Sequence, residues 1–181
     1  RLVLHSPVPF KKEFIESKFI APLQEVLHNL TGDPITDNLG AVKKAPFAPG
    51  PAAKGTNPNF APGTPYCYNC QRCAPVYELR RRGYDVQAKA APQNRASDVA
   101  AYGTECFTDK AGKPVSFDWS NRLTRSELES TLALAPNGAR YMIYVKWDDR
   151  HAHVYNAEKL LNMTLYIDAQ NPDAKAMKYL S

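Results

Sequence analysis

Three thiols fall close together at Cys67, Cys70 and Cys73, and a fourth lies far along the chain at Cys106. Thiols at this spacing suit two chemistries. With Cys106 they offer the donor set of zinc or an iron–sulfur cluster, which would make the chain a metal-binding structural module. Two features speak against a metal: Cys70 and Cys73 fall where a helix is expected to open, and Cys106 lacks the following Pro of ferredoxin runs. Buried structural cysteines are the plain alternative. The other chemistry is nucleophilic. A cysteine at a helix N-terminus meets unpaired backbone N–H groups and the positive end of the dipole, which stabilise its thiolate. The same N–H groups can receive an oxyanion when sulfur adds to a carbonyl.

A thiol nucleophile needs an imidazole to hold its proton and a third group to orient that imidazole. The C-terminal third supplies His151, His153, Asp168 and Gln170. His153 is flanked by Val154 and Tyr155 in a strand-like run, whereas His151 falls at a polar turn and is expected to be solvated. Residues two apart on a strand share a face, so His153 pairs with Tyr155 and Asp168 with Gln170. If the two strands form a hairpin, His153 and Asp168 stand side by side. Nucleophile, then imidazole, then carboxylate is the order along the chain.

The elements that must position these groups follow from local pattern. Asn69 is a suitable N-cap, and a helix is expected from Cys70 to Arg82 with Gly83 as its C′ residue. Pro75 is tolerable near the helix start, and Arg80, Arg81 and Arg82 favour the negative end of the dipole without any ligand. Residues 84–88 alternate like a strand. Thr124-Arg125-Ser126-Glu127 fits a capping box before a helix that carries Leu128, Leu132 and Leu134, and Pro136-Asn137-Gly138 turns the chain. Strands at 139–147, 152–158 and 163–169 then form an antiparallel meander, with Tyr141, Ile143, Val145 and Trp147 on one face. Upstream, residues 11–30 carry an apolar stripe of helical spacing, interrupted by Pro22. Residues 41–66 are rich in Pro, Gly and Ala and read as an extended path, either a linker or a strap held by Phe47 and Phe60. Helices first and strands last make an α+β fold.

The whole chain of 181 residues and 20.2 kDa can hold one domain with an extended arm. With 44% hydrophobic and 23% charged residues it is expected to bury a core. No apolar run approaches the roughly 20 residues needed to cross a bilayer, and no membrane partner is expected. The start shows neither a charged n-region nor an apolar h-region, so no signal peptide is expected and the chain reads as a piece of something longer. A net charge of +5 and a pI near 9.0 favour anionic partners by steering. The basic residues form no stripe interleaved with aromatics, so no nucleic-acid partner is expected.

Asn69-Cys70-Gln71-Arg72-Cys73, followed by Tyr77-Glu78-Leu79-Arg80-Arg81-Arg82-Gly83-Tyr84-Asp85-Val86, resembles the papain-fold toxin domains found at the C-termini of bacterial polymorphic toxins and secreted effectors. His153-Val154-Tyr155-Asn156 and Tyr166-Ile167-Asp168-Ala169-Gln170 resemble that family's later strands, with Ala169 where Pro or Gly often stands. The resemblance covers about residues 66–180. It implies a papain-like domain over 66–181, preceded by a helical segment and Pro-rich arm over 1–65. The nucleophile-bearing helix would pack on an antiparallel sheet. It also implies a cofactor-free cysteine hydrolase with Cys70 or Cys73 as nucleophile, His153 as the imidazole and Asp168 as the carboxylate. Position at the helix start favours Cys70; papain-like CxxC patterns in which the second cysteine attacks favour Cys73. Gln170 would orient the site or donate to the oxyanion. The papain arrangement generically implies a cysteine peptidase, and that is the reading taken; a protein-glutamine deamidase using the same site is the alternative. The resemblance further implies secretion or delivery into a target cell, a protein substrate in its cytoplasm, and a cognate immunity protein.

Overall fold

The computed structural model describes residues 2–5, 45–91, 123–147 and 151–173. The expected helix over 11–30, most of the irregular stretch after residue 89, and Cys106 lie outside the described residues.

Alternating apolar residues in the C-terminal third build the sheet. Strand β1 spans Leu2–His5, β2 Arg140–Lys146, β3 Ala152–Leu160 and β4 Met163–Ile167, all antiparallel and in the order β1-β2-β3-β4. The expected meander therefore forms, and the start of the chain adds an edge strand that the sequence did not suggest. Tyr141 pairs with Ala157, Ile143 with Tyr155 and Val145 with His153, so these residues share one face. Trp147 does not join them: β2 ends at Lys146, and Trp147 is half exposed at the hairpin, where its N–H bonds the His151 carbonyl. β4 also stops short of its expected end, at Ile167.

Helix α1 spans Pro49–Thr56, α2 Cys70–Arg81 and α3 Arg125–Leu134, with a short 3-10 turn over Pro65–Cys67. In α3 the capping box is complete: Thr124 accepts from the Glu127 N–H, and the Glu127 carboxylate accepts from the Thr124 N–H. Leu128 and Leu132 are buried against Tyr141, Ile143, Val145, Tyr155 and Ala157, an apolar core between α3 and the sheet. Helix α2 covers the opposite face, where Asn156 on β3 donates to the Ala74 carbonyl at 3.2 Å.

Two expectations are corrected. Residues 49–56 are helical, not extended. Pro49 occupies the first helical position, where a missing N–H has no intrahelical partner to lose. The small side chains of Ala52 and Ala53 then let α1 press against Cys73, Val76 and Tyr77 of α2. Of the two readings of this segment, the strap is nearer: the Arg80 guanidinium lies 4.3 Å above the Phe47 ring. It also passes so close to Gly55 that an added Cβ would stand 2.1 Å from Arg80 Nη2. Residues 84–88 keep the alternating burial of a strand, with Tyr84, Val86 and Ala88 inward, but only Tyr84 makes a bridge. The segment is bonded instead to the end of α1, through the Ala88 N–H and the Thr56 carbonyl at 2.7 Å.

Candidate active site

The first turn of α2 begins at Cys70, and the carbonyl of Asn69 already accepts from the N–H groups of Arg72 and Cys73 at 2.9 and 3.1 Å. An opening helical turn leaves its earliest N–H groups without helical acceptors, which here belong to Cys70 and Gln71. Cys70 is half-buried at the positive end of the helix. Asn69 holds the N-cap position, but its side chain makes no capping bond.

His153 comes from β3, where Val145 is its cross-strand partner. The β3–β4 ladder ends at the Asn156–Ile167 pair, and the chain turns at Asp168. That turn is an Asx arrangement: Asp168 Oδ1 accepts from the N–H groups of Gln170 and Asn171 at 3.1 and 3.3 Å. Its other oxygen is thereby aimed at the imidazole, with Oδ2 lying 3.3 Å from His153 Nε2. The contact is at ion-pair distance. The Cys70 side chain also hydrogen-bonds the ring. The Tyr155 ring stacks on His153 with centroids 6.1 Å apart. Burial disfavours the charged imidazole, yet the bonds and charges of Asp168 and Cys70 outweigh it and push His153 up to about 9. The ring therefore carries a proton at neutral pH.

Cys73 has a different environment. It is fully buried in the core between α1 and α2, and its Sγ donates to Asn69 Oδ1 at 3.2 Å. Burial, with Cys70 and Asp168 nearby, pushes its thiol well above the ordinary value. Gln170 is buried as well; its Nε2 reaches Asn69 Oδ1 at 3.5 Å. Of the residues singled out in the sequence, Cys70, His153 and Asp168 meet, Gln170 stands behind them, and Cys73 turns into the core. His151 is exposed. Cys67, Cys70 and Cys73 form no disulfide, and no cluster of metal-binding type occurs among the described residues.

Sequence reasoning missed Asn57. It is buried, and its Nδ2 donates to the carbonyls of Tyr66 and Gln170, each at 2.9 Å, and to Asn69 Oδ1 at 3.2 Å. In the sequence, Asn57-Pro58 is an ordinary turn signal and gives no hint of this.

Residues 68–172 match the family described as papain fold toxin 1, glutamine deamidase. No curated protein and no solved structure matches the chain significantly. The match spans more than half of the chain, and the chain belongs to this family of papain-fold toxins. It is accordingly an enzyme of the cysteine-hydrolase type, with the α+β papain-like fold.

Proposed function

We propose that this chain deamidates a glutamine side chain in a target-cell protein, with Cys70 as nucleophile, His153 as acid and base, and Asp168 as the group that orients the imidazole. The observation that carries the reading is His153 set between Cys70 and Asp168, inside the segment matched to a glutamine deamidase family. The Cys70 thiolate adds to the side-chain carbonyl carbon of glutamine. The oxyanion is received by the N–H groups of Cys70 and Gln71. Collapse breaks the C–N bond, and the imidazolium proton leaves with the nitrogen as ammonia, giving a thioester. Water then adds to the thioester, His153 takes its proton, and the thiolate departs from the new carboxylate. Glutamine and water become glutamate and ammonia.

Cys73 is the weaker candidate, because a thiol held protonated and sealed from solvent cannot reach a substrate. Membership of a toxin family supports delivery into another cell; a protein substrate there and a cognate immunity protein are part of the same proposal.

The test treats whole-cell extract with the enzyme and inspects the proteins by mass spectrometry. Glutamine-to-glutamate conversion without new N-termini is expected; new N-termini would replace deamidation with peptidase action. Cys70→Ala is expected to lower the rate by at least about 10⁴-fold, as loss of a nucleophile does elsewhere. Cys73→Ala is expected to keep most of the activity. The opposite ranking would overturn the assignment.

A further inference from the structure

We infer that Asn57 is a positioning residue of the active site, and that the arm carrying it belongs to the catalytic unit although it precedes the family-matched segment. The inference rests on the Cys70–His153–Asp168 reading above. The nucleophile and its imidazole come from separate parts of the chain: Cys70 follows Asn69 at the start of α2, while the carboxylate that orients His153 lies two residues before Gln170. Something must hold these backbones in register, since a displacement of about 1 Å at a reacting group is enough for a loss of order 10²-fold.

Asn57 spans that gap. Its Nδ2 bonds the side chain of Asn69 on one side and the backbone carbonyl of Gln170 on the other, while its Oδ1 accepts from Asn69 Nδ2 at 3.2 Å. Asn69 Nδ2 also reaches the Lys89 carbonyl at 3.1 Å, and Asn69 Oδ1 receives both Cys73 Sγ and Gln170 Nε2. The side chains of Asn57, Asn69, Cys73 and Gln170 are all buried, so water competes little for these bonds. Asn57 is itself held at the end of α1, which packs on α2. One amide thus joins the residue before the nucleophile to the turn that presents the carboxylate. A side chain serving only to fill space would not need both ends of its amide bonded across the two segments.

The test uses the full chain with Asn57→Ala and Asn57→Asp, the latter keeping shape while removing the donor. Thr56→Ala serves as a neighbouring control, because its hydroxyl bonds only within α1, to the Ala52 carbonyl at 2.9 Å. Three quantities are read below each variant's own melting temperature: kcat, KM, and the pH dependence of Cys70 alkylation by iodoacetamide. The expected result is a fall of about 10²-fold in kcat with little change in KM. An altered Cys70 alkylation profile is expected alongside it, and Thr56→Ala should show neither change. A lowered melting temperature with wild-type kcat and alkylation profile overturns the proposal, as does failure of both Asn57 variants to fold, since either result makes Asn57 a stability contact alone. Cys70→Ala run alongside separates the two ideas. If it retains activity, the nucleophile reading fails; if it is inactive while the Asn57 variants behave as wild type, only the positioning role fails.

Discussion

The two faces of the sheet are packed in opposite ways. Toward α3 the contact is apolar, with Leu128 and Leu132 set among Tyr141, Ile143, Val145, Tyr155 and Ala157. The main polar reach on that side is Lys159, whose Nζ donates to the Ala133 carbonyl in the last turn of α3, where the dipole favours a cation. Toward α2 the contact is threaded with charge. Glu158 on β3 binds Arg81 and accepts from the Tyr77 hydroxyl at 2.8 Å; Glu78 on α2 binds Arg82 at 2.7 Å and Arg140 of β2 at 2.9 Å. Apolar burial is non-directional and tolerates sliding, whereas charged hydrogen bonds define distance and angle. The helix that only completes the core is held by oil; the helix that aims Cys70 is held by geometry. Buried ion pairs are weak stabilisers when compared with well-packed apolar groups, so their concentration on α2 points to position more than to strength.

Experiments can break this comparison, and Asp168→Asn should have the largest effect. It leaves both packed faces intact and is expected to lower kcat by up to about 10⁴-fold, as in other triads that lose the orienting carboxylate. It also tests the protonated imidazole. With His153 raised from 6.5 to about 9, the imidazole stays protonated through neutral pH and activity falls as pH rises through about 9. The same proton stabilises the fold fully below 6.5, and that contribution is lost as pH rises toward 9. Removing the Asp168 charge should move the alkaline limb of kcat/KM toward 6.5; an unmoved limb would detach His153 from Asp168.

Arg81→Met comes next. It strands Glu158 on the charged face and is expected to cost about 3–5 kcal/mol in urea unfolding near neutral pH. Burial opposes ionisation of Glu158, but Arg81 and Tyr77 win and hold it below the usual 4.5. That contribution exists above the ordinary carboxylate value and is lost as pH falls through the lower folded value, so the deficit of the variant should shrink in acid. Leu128→Ala on the oily face should cost about 2–5 kcal/mol, with kcat per folded molecule unchanged; a kcat loss there would show that α3 also sets the site. Smallest of all is Arg125→Ala. The Arg125–Glu129 pair at 2.8 Å is solvent-exposed, and an unchanged melting temperature is expected.

Much of this is legible in the order of the residues alone. The capping box of α3, Gly83 beyond α2 with φ of 97°, and the antiparallel strands all follow from patterns spanning a few residues. So does the succession of Cys70, His153 and Asp168, because helix opening, strand parity and strand end are local properties. The α1 helix is illegible because its prolines fall at positions a helix start accepts, in a composition that otherwise signals extended chain. The roles of the three arginines are hidden for a related reason: Arg80 goes to Asp85, Arg81 to Glu158 and Arg82 to Glu78, partners from 4 to 77 residues away.

The sequence by itself determined which residue types were available for thiol chemistry, and which short segments would present them on a helix mouth and a strand. Only the tertiary structure decided which cysteine faces His153 and which is sealed in the core, since burial depends on α1 packing over α2. It also decided that Asn57 lies between Asn69 and Gln170. The physical reason is that periodicity encodes which side of an element is apolar, whereas hydrogen bonds between distant segments exist only once the chain has closed on itself.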